Sequence, residues 1–513
     1  MFKRKVKKFL GDKWHYKIQD FSICILCLLI LYLSTCILVF FAILKFAIFH
    51  CKNFLLVLLS LLCIYGQIKK LLLLLGILPY LSKPFEKVLT AQISAHFEDN
   101  KLFSPAQYGF RKGRDTGAAV LEVVNHLIQK DGSTTSSKKA IIGVQIDLSK
   151  AFDLVDHDIL LHKLTKYGFN RDSADLVRSF LSDRTLQTSI RVNGIEILSD
   201  PLTCNEGMPQ GAIPSPVLFI VYINDFPTIF SGLKFTVIVI IFADDITIII
   251  KGINIKHKLE AVMKLATSWF ANNNLIMNLM KTVIMNFTPD LIPLSNLIIQ
   301  SVEIPVVQEA RFLGFLMDNK LKWSLHVESV NRRLASHTYA VRSLSKIVNP
   351  PVMKAYYSAF INSILMYGIE VWGYATNLDR LLITQKKILR IIDNKGARFS
   401  CRDLFKKYNV MTVYSMYLFS VLKRAVLSKI IEESDCKSNQ MTTRNNFIKS
   451  FSKDKKEQHH LLKFRAVEIF NKLPQGLKLS FAQGNPLLFV RSLRTHFLDN
   501  PYYSLREFTE LKI

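Results

Sequence analysis

Apolar and polar positions are patterned in three different ways along the chain. The stretch Phe21–Leu44 carries no charged residue, and a shorter apolar run follows at 53–67. From about residue 77, β-branched runs typical of strands alternate with stretches whose apolar residues recur at helical spacing. Beyond about residue 330 the strand-like runs fade and basic helical segments dominate. This pattern predicts an α+β protein preceded by an apolar helical leader.

The leader at residues 1–76 is long enough to cross a bilayer. A helix over Phe21–Leu44 would exceed about 30 Å, because each residue of a helix rises about 1.5 Å. The basic sequence before it, MFKRKVKKFLGDKWHYKIQD, would remain on the cytoplasmic side. We therefore expect a transmembrane helix in residues 1–76, with a buried helix as the alternative.

Two adjacent aspartates interrupt the strand-like sequence IIFADDITIII at 240–250. Burying the Asp244 and Asp245 carboxylates together is costly unless a positive charge lies between them, and a solvated hairpin tip is the alternative. Asp147 ends another apolar strand, in AIIGVQIDLSKAFD. Carboxylates from neighbouring strands are the ligands that hard divalent cations prefer. The three aspartates therefore predict a metal site suited to in-line phosphoryl transfer.

The charge balance favours a polyanionic partner. Lys and Arg number 67 against 40 Asp and Glu, a formal net charge of +27, which suits nucleic acid or an anionic membrane surface. Cysteines outside the apolar stretch (Cys204, Cys401 and Cys436) are far apart in the sequence and form no zinc-binding pattern. A reducing compartment is the simplest interpretation.

Several blocks, in order, resemble the reverse transcriptase domain of non-LTR (LINE-type, jockey-like) retrotransposons. They run from LPYLSKPFEKVL (78–89) to FLGFLMDNKLKW (312–323); between these lie LFSPAQYGFRKGRDT, IDLSKAFDLVDHDILLHKL, EGMPQGAIPSPVLFIVYINDFP, FADD and WFANNNLIMNLMKT. The resemblance implies a right-hand polymerase with fingers, palm and thumb and an antiparallel palm sheet. Fingers and palm would occupy 77–330, and a helical, basic thumb and C-terminal region would occupy 331–513.

The resemblance also implies catalytic roles. Asp147, Asp244 and Asp245 would be catalytic residues and metal ligands, holding two Mg²⁺ ions, with Mn²⁺ as an alternative. Lys281, in NLMKT, would donate a proton to the departing pyrophosphate.

Other roles concern the nucleotide and the primer. Arg111 and Lys112 would face the triphosphate, Phe152 would be the steric gate against a ribose 2′-hydroxyl, and the residues Gln210 and Gly211 of MPQG would lie against the nucleotide. The primer end would be gripped by the hairpin of FLGFLMD, through Phe312, Leu313 and Gly314, and Gly314 would permit its bend.

These features predict an RNA-directed DNA polymerase acting in retrotransposition. Its partners would be an RNA template, a DNA primer and deoxynucleoside triphosphates, in the nucleus or cytoplasm, or at a membrane if the leader is expressed. The chain departs from the family pattern: Pro214 stands where Gly is usual, and the fingers segment and the endonuclease that normally precede LPYLSK are missing. The alternative is therefore a catalytically silent, nucleic-acid-binding relic of a truncated element, membrane-anchored through the leader.

Overall fold

The computed structural model describes residues 77–128, 139–431 and 462–510. The predicted helix at Phe21–Leu44 and most of the polar loop predicted at 129–140 lie outside these ranges. The described residues form two compact units that are interleaved in the sequence. Unit 1 contains 77–104, Lys150–Asp225 and Asn273–Leu275. Unit 2 contains the described residues of 105–149, 226–272 and 276–513. The predicted boundaries at 76/77 and 330/331 stay predictions.

Unit 1 is mainly helical. Its α-helices are α1 (Ile77–Asp99), α3 (His157–Lys166), α4 (Arg171–Leu181) and α5 (Ser215–Tyr222). Its strands are β3 (Arg184–Leu186), β4 (Ser189–Val192), β5 (Ile195–Leu198) and β6 (Leu202–Cys204). Asp156 begins α3 by accepting the N–H groups of Asp158 and Ile159, so the helix starts where its first free donors find an acceptor. Helix α3 is one of the helices that the spacing of apolar residues beyond residue 77 predicted.

Unit 2 contains the main sheet. Its strands are β1 (Ala140–Ile146), β2 (Leu148–Ser149), β7 (Val237–Phe242), β8 (Asp245–Gly252), β9 (Ile276–Met277), β10 (Val283–Asn286), β11 (Leu297–Ile299), β12 (Val302–Ile304), β13 (Val306–Val307), β14 (Glu309–Phe312) and β15 (Phe315–Asp318). Five strands form one sheet in the order β13-β10-β1-β8-β7, antiparallel except where β10 pairs with β13. The predicted α+β class and antiparallel sheet are therefore confirmed.

The helices of unit 2 cover this sheet and continue to the C-terminus. They are α2 (Thr116–Ile128), α6 (Ile255–Asn272), α7 (Ser324–Leu344), α8 (Pro350–Tyr356), α9 (Ser363–Met366), α10 (Ile369–Trp372), α11 (Asp379–Ile392), α12 (Arg402–Tyr408), α13 (Val413–Leu427), α14 (Leu462–Asn471), α15 (Gln475–Ala482), α16 (Pro486–Asp499) and α17 (Leu505–Glu510). Strand β8 is buried from its second residue to its last, so both faces of the sheet are covered there. Helices α2 and α6 both pack on β8.

A partly buried ion cluster links helices α10 and α13 to the residue just before α2. The Arg424 guanidinium, in α13, pairs with the carboxylates of Glu370 in α10 and Asp115 just before α2. A Cβ added at Gly117 would lie 2.7 Å from a Glu370 oxygen, so the small residue makes room for this cluster. Because a buried charge is costly without its partner, the cluster favours one arrangement of these helices within unit 2.

One hairpin of unit 1 has an uncovered apolar face. Strands β4 and β5 pair from Ser189↔Leu198 to Val192↔Ile195, around an Asn193–Gly194 turn with φ of 50° and 82°. Every residue of both strands is exposed. Alternation places four β-branched side chains on one face: Ile190, Val192, Ile195 and Ile197. We call this element the exposed hairpin.

Within the described ranges no single helix is both long and apolar enough to span a membrane, but α12 and α13 together, as a pair bent by 54°, have sufficient length and apolar composition.

Candidate active site

The two adjacent aspartates lie at the tip of a hairpin in unit 2. Strands β7 and β8 pair from Val237↔Ile250 to Phe242↔Asp245, leaving Ala243 and Asp244 as a two-residue turn. Ala243 is buried and adopts a left-handed φ of 56°, which costs an alanine energy that a glycine would not lose. We call β7–β8 the aspartate hairpin.

The third predicted carboxylate lies on the adjacent strand. Strand β1 pairs antiparallel with β8 as far as Ile146↔Ile246. Continued by one residue, this register places Asp147 opposite Asp245. The sheet therefore brings together residues that are far apart in the sequence, in the neighbouring-strand arrangement that the sequence predicted.

The electrostatics of Asp245 reflect this proximity. Burial, together with the negative charges of Asp244 and Asp147, raises the pKa of Asp245 to about 6. A carboxyl group whose pKa is raised by burial and by like charges is stabilised by any cation placed next to it. The carboxylates of Asp147 and Asp244 thus lie near enough to Asp245 to act on its charge at the end of the buried strands.

Lys281 lies beside this site. Its Nζ is 3.4 Å from Oδ2 of Asp147. The turn that carries it is fixed to the same strand end, since the N–H of Asn278 donates to the Asp147 carbonyl and the N–H of Lys281 donates to the Asn278 carbonyl. Both charged side chains of the pair reach solvent, so the pair itself contributes little to stability.

The residues fit a divalent cation by chemistry and charge. All three carboxylates supply the oxygen ligands that Mg²⁺ and Mn²⁺ accept. Among the described residues, however, no group of three acidic, histidine or cysteine side chains is already arranged to hold an ion. The assignment of Asp147, Asp244 and Asp245 as metal ligands stays a prediction.

Gln107 supports the turn of the aspartate hairpin, a role that the sequence did not predict. The Gln107 side chain is fully buried, and its Oε1 accepts the N–H groups of Gly109 at 2.9 Å and Ala243 at 3.4 Å. The backbone beside it pairs with β7, because the N–H of Tyr108 donates to the Ile241 carbonyl. A Cβ added at Gly109 would lie 2.5 Å from the Ala243 nitrogen. The only sequence signal was a glutamine between Ala and Tyr in the block LFSPAQYGF.

The two basic residues predicted to face the triphosphate follow this segment. Arg111 donates from Nη1 to the Gln107 carbonyl at 3.4 Å, and Lys112 is exposed. Arg114 makes the closer contacts, donating to the carbonyls of Pro105 at 2.6 Å and Gln107 at 3.1 Å. The roles of Arg111 and Lys112 toward phosphate stay predictions.

Three predicted nucleotide-binding residues belong to unit 1. The Phe152 ring stacks on Phe219, with centroids 4.7 Å apart. The Phe152 carbonyl accepts the N–H of Met208, which ties the strand-end segment to the MPQG loop. In that loop Gln210 donates from Nε2 to Asp153 at 3.1 Å. Gly211 has a φ of 79°, and its carbonyl accepts from Lys83 at 3.1 Å. Their roles toward a nucleotide stay predictions.

The predicted primer-gripping sequence is a hairpin in unit 2. Strands β14 and β15 pair from Glu309↔Asp318 to Phe312↔Phe315. The turn residues Leu313 and Gly314 have φ of 47° and 82°, so Gly314 does permit the bend that the sequence predicted. The contact of this hairpin with a primer, through Phe312, Leu313 and Gly314, stays a prediction.

Comparison with known proteins agrees with the block order. Residues 69–317 match the reverse transcriptase (RNA-dependent DNA polymerase) family. The probable RNA-directed DNA polymerase from transposon BS of Drosophila melanogaster is 25% identical over 352 residues, covering 66% of this chain and 38% of that protein. The RNA-directed DNA polymerase from mobile element jockey of the same species is 26% identical over 347 residues, covering 65% and 37%. The chain thus spans less than two fifths of the length of these relatives.

A solved structure is also similar. The telomerase of Candida tropicalis in complex with a TWJ fragment of telomeric RNA is 11% identical at a TM-score of 0.36, covering 73% of this chain and 58% of that chain.

Proposed function

We propose that this chain is an RNA-directed DNA polymerase, because residues 69–317 match the reverse transcriptase family and the chain is similar to the RNA-directed DNA polymerase from mobile element jockey. It would add deoxynucleotides to a primer 3′-end by two-metal phosphoryl transfer. The observation that supports this most strongly is the β1–β8 register, which ends at Ile146↔Ile246, one residue before Asp147 on β1 and next to Asp245 on β8, with Asp244 in the adjoining turn.

The three carboxylates would hold the divalent ions, Mg²⁺ or Mn²⁺. When bound, two such ions activate a 3′-hydroxyl and stabilise the departing pyrophosphate. The protein's contribution is to keep the carboxylates together at the end of buried strands. The energetic cost of doing so, visible in the raised pKa of Asp245, favours cation binding.

Lys281 would serve as the proton donor. Its ammonium group lies next to Asp147 yet remains largely exposed, so it can reach a leaving group above the strand end. Phosphate groups of the incoming nucleotide would contact Arg111 and Lys112, whose charges suit phosphate recognition.

The residues of unit 1 would select the sugar. Stacking on Phe219 holds the Phe152 ring in one orientation, which a steric gate against a 2′-hydroxyl requires. Gln210 and Gly211 would line the nucleotide, since the backbone of a glycine can be approached closely. Template and primer would be held mainly through their phosphates by the basic excess of the chain.

Primer extension on poly(rA)·oligo(dT) with Mg²⁺ tests the proposal. We expect extension by wild type, none without a divalent ion, and none by Asp147→Asn. Incorporation of ribonucleotides should be low in wild type and should rise in Phe152→Ala. Extension that persists in Asp147→Asn would refute the active-site assignment.

The alternative function is a silent nucleic-acid-binding relic. The sequence observation that favours it is Pro214, which stands where the family usually has Gly. A relic would bind template–primer but leave the primer unextended with either Mg²⁺ or Mn²⁺. Fluorescence anisotropy of a labelled duplex, measured beside the extension assay, separates the two functions.

A further inference from the structure

The turn between β14 and β15 is held by a residue well beyond the matched reverse transcriptase region. The hydroxyl of Tyr367 donates a hydrogen bond to the Leu313 carbonyl at 2.8 Å. Its ring also contacts the next residue of the turn, because a Cβ added at Gly314 would lie 3.3 Å from the Tyr367 ring. A single side chain therefore touches both residues of the turn.

The same side chain also fixes the strand that follows. The Tyr367 ring stacks on Phe315, with centroids 5.0 Å apart and planes at 23°. Phe315 is fully buried, and its ring stacks on His326 as well. Gly368, with a φ of 55°, is required here, since a Cβ at that position would lie 2.2 Å from the Phe315 ring.

Tyr367 combines this anchoring with solvent exposure. Its side chain is 40% exposed although it makes a hydrogen bond and a ring stack, and Gly314 beside it is exposed too. The backbone of Tyr367 is itself fixed, because its carbonyl accepts the Nε1–H of the buried Trp372 at 3.0 Å. The result is a rigid support beneath an accessible turn.

We propose that Tyr367 is a positioning residue for the primer: its hydroxyl fixes the Leu313–Gly314 turn in the conformation that receives the primer 3′-terminal backbone. This rests on the proposed polymerase function and on the predicted role of the turn. The hydrogen bond from Tyr367 holds the Leu313 carbonyl, so the exposed backbone of the turn keeps one orientation. A primer therefore binds without the entropic cost of ordering the turn.

Binding of a recessed primer–template in the absence of nucleotides tests the inference separately from catalysis. Tyr367→Phe retains the stack on Phe315 and removes the hydroxyl. We expect the Kd for a fluorescent recessed duplex to rise about five- to tenfold. Binding of single-stranded RNA should stay within about twofold, because it does not use the primer end.

Tyr374→Phe is the matched control. The Tyr374 hydroxyl accepts from Trp323 Nε1 at 2.8 Å and donates to the Leu321 carbonyl, so it lies in the same unit but does not touch the turn. We expect this variant to bind the recessed duplex within about twofold of wild type. Equal weakening by both substitutions would overturn the inference, since it would show a general structural effect.

A double-mutant cycle gives a second test. Gly314→Ala places a methyl group against Tyr367 at a φ of 82° and should disturb the turn from the other side. If the two residues act through one turn, the effects of Tyr367→Phe and Gly314→Ala on the Kd will be less than additive. Full additivity would overturn the inference.

Steady-state extension completes the design. Tyr367→Phe should raise the KM for primer–template and leave kcat within about twofold. A fall in kcat with unchanged primer affinity would contradict a positioning role. If wild type binds recessed duplex in a Tyr367-dependent way but never extends it, the proposed polymerase function fails while the inference stands.

Discussion

The aspartate hairpin and the exposed hairpin are built from similar sequences in opposite surroundings. Both join β-branched strands through a two-residue turn. Strands β7 and β8 are largely buried, whereas every residue of β4 and β5 is exposed. The buried hairpin nevertheless has the less favourable turn of the two. The exposed hairpin has Asn193–Gly194, which adopts left-handed φ readily, and the aspartate hairpin has the less favourable Ala243–Asp244.

This difference shows which contacts keep the candidate active site rigid. The exposed hairpin holds its shape through local turn preference. The aspartate hairpin holds a less favourable turn because β1 and Gln107 constrain it from two sides. Local strain of this kind persists where the surrounding structure over-determines it, which is common at functional sites. Substitutions matched between the two hairpins can test this difference.

The largest effect is expected for Asp244→Asn. Loss of one carboxylate from the cation site should lower kcat for primer extension by about a thousandfold or more, roughly 4 kcal/mol of barrier. Binding of template–primer should change by less than about twofold, because phosphate contacts supply most of the affinity. The matched control is Asp200→Asn beside the exposed hairpin, which should extend primers like wild type. Equal loss of binding and synthesis would indicate a folding role instead.

Gln107→Met should have the next largest effect. It leaves the N–H groups of Gly109 and Ala243 buried without their acceptor, so kcat should fall roughly thirtyfold and the Mg²⁺ concentration for half-maximal activity should rise. Gln187→Met is the control, since Gln187 donates a solvent-exposed hydrogen bond from Nε2 to the Ser199 carbonyl next to the exposed hairpin. Similar kinetics for both variants would contradict the supporting role of Gln107.

The β14–β15 hairpin also contacts a buried polar side chain, that of His326. His326 accepts the N–H of Leu316, and burial, together with the charges of Arg333 and Arg311, lowers the pKa of His326 to about 4. As the pH falls, the His326 imidazole is protonated near pH 6.5 in the unfolded chain but only near pH 4 in the folded protein. The free energy of unfolding should therefore be fully retained above pH 6.5. It should fall by roughly 2 kcal/mol as the pH is lowered toward 4.5.

Urea unfolding at pH 7.5 and 4.5 measures this. His326→Asn should be less stable than wild type at pH 7.5, yet it should lose less stability between the two pH values. An unchanged pH dependence in the variant would assign the effect to other groups.

The smallest effects concern the turns themselves. Gly194→Ala should destabilise the exposed hairpin by about 1 kcal/mol, because alanine adopts a φ of 82° at a cost. Ala243→Gly should change stability by less than about 0.5 kcal/mol, since relief of strain offsets the added freedom of the unfolded chain. Amide hydrogen exchange over residues 189–198 and 237–252 reports each hairpin separately. A large loss of protection in Ala243→Gly would show that the alanine turn is not strained.

Much of this arrangement could be predicted from the sequence. The strand that ends before Asp147 and the helices that follow residue 77 could be predicted from local patterns of apolar residues. The turn of the aspartate hairpin and the bend at Gly314 followed from the resemblance to the reverse transcriptase family. The proximity of Asp147 and Asp245 followed from their similar strand contexts.

Other features could not be predicted because they depend on contacts between residues remote in sequence. Gln107 supports the aspartate hairpin across more than a hundred residues, and Tyr367 reaches Leu313 from a segment with no polymerase-like pattern. The uncovered face of the exposed hairpin was also unpredictable, since alternation identifies an apolar face but not what covers it.

The strand order of the main sheet has a consequence for how the protein is made. Strand β1 leaves the ribosome long before β8 and β10, the neighbours with which it pairs. The aspartate hairpin is local in sequence and can form within microseconds, whereas β1 must close a loop of about a hundred residues to reach it. The site would therefore be assembled last, when Asp147 docks beside a preformed turn. Slow closure of this kind makes the yield of active protein sensitive to translation speed and temperature more than to the final stability of the fold.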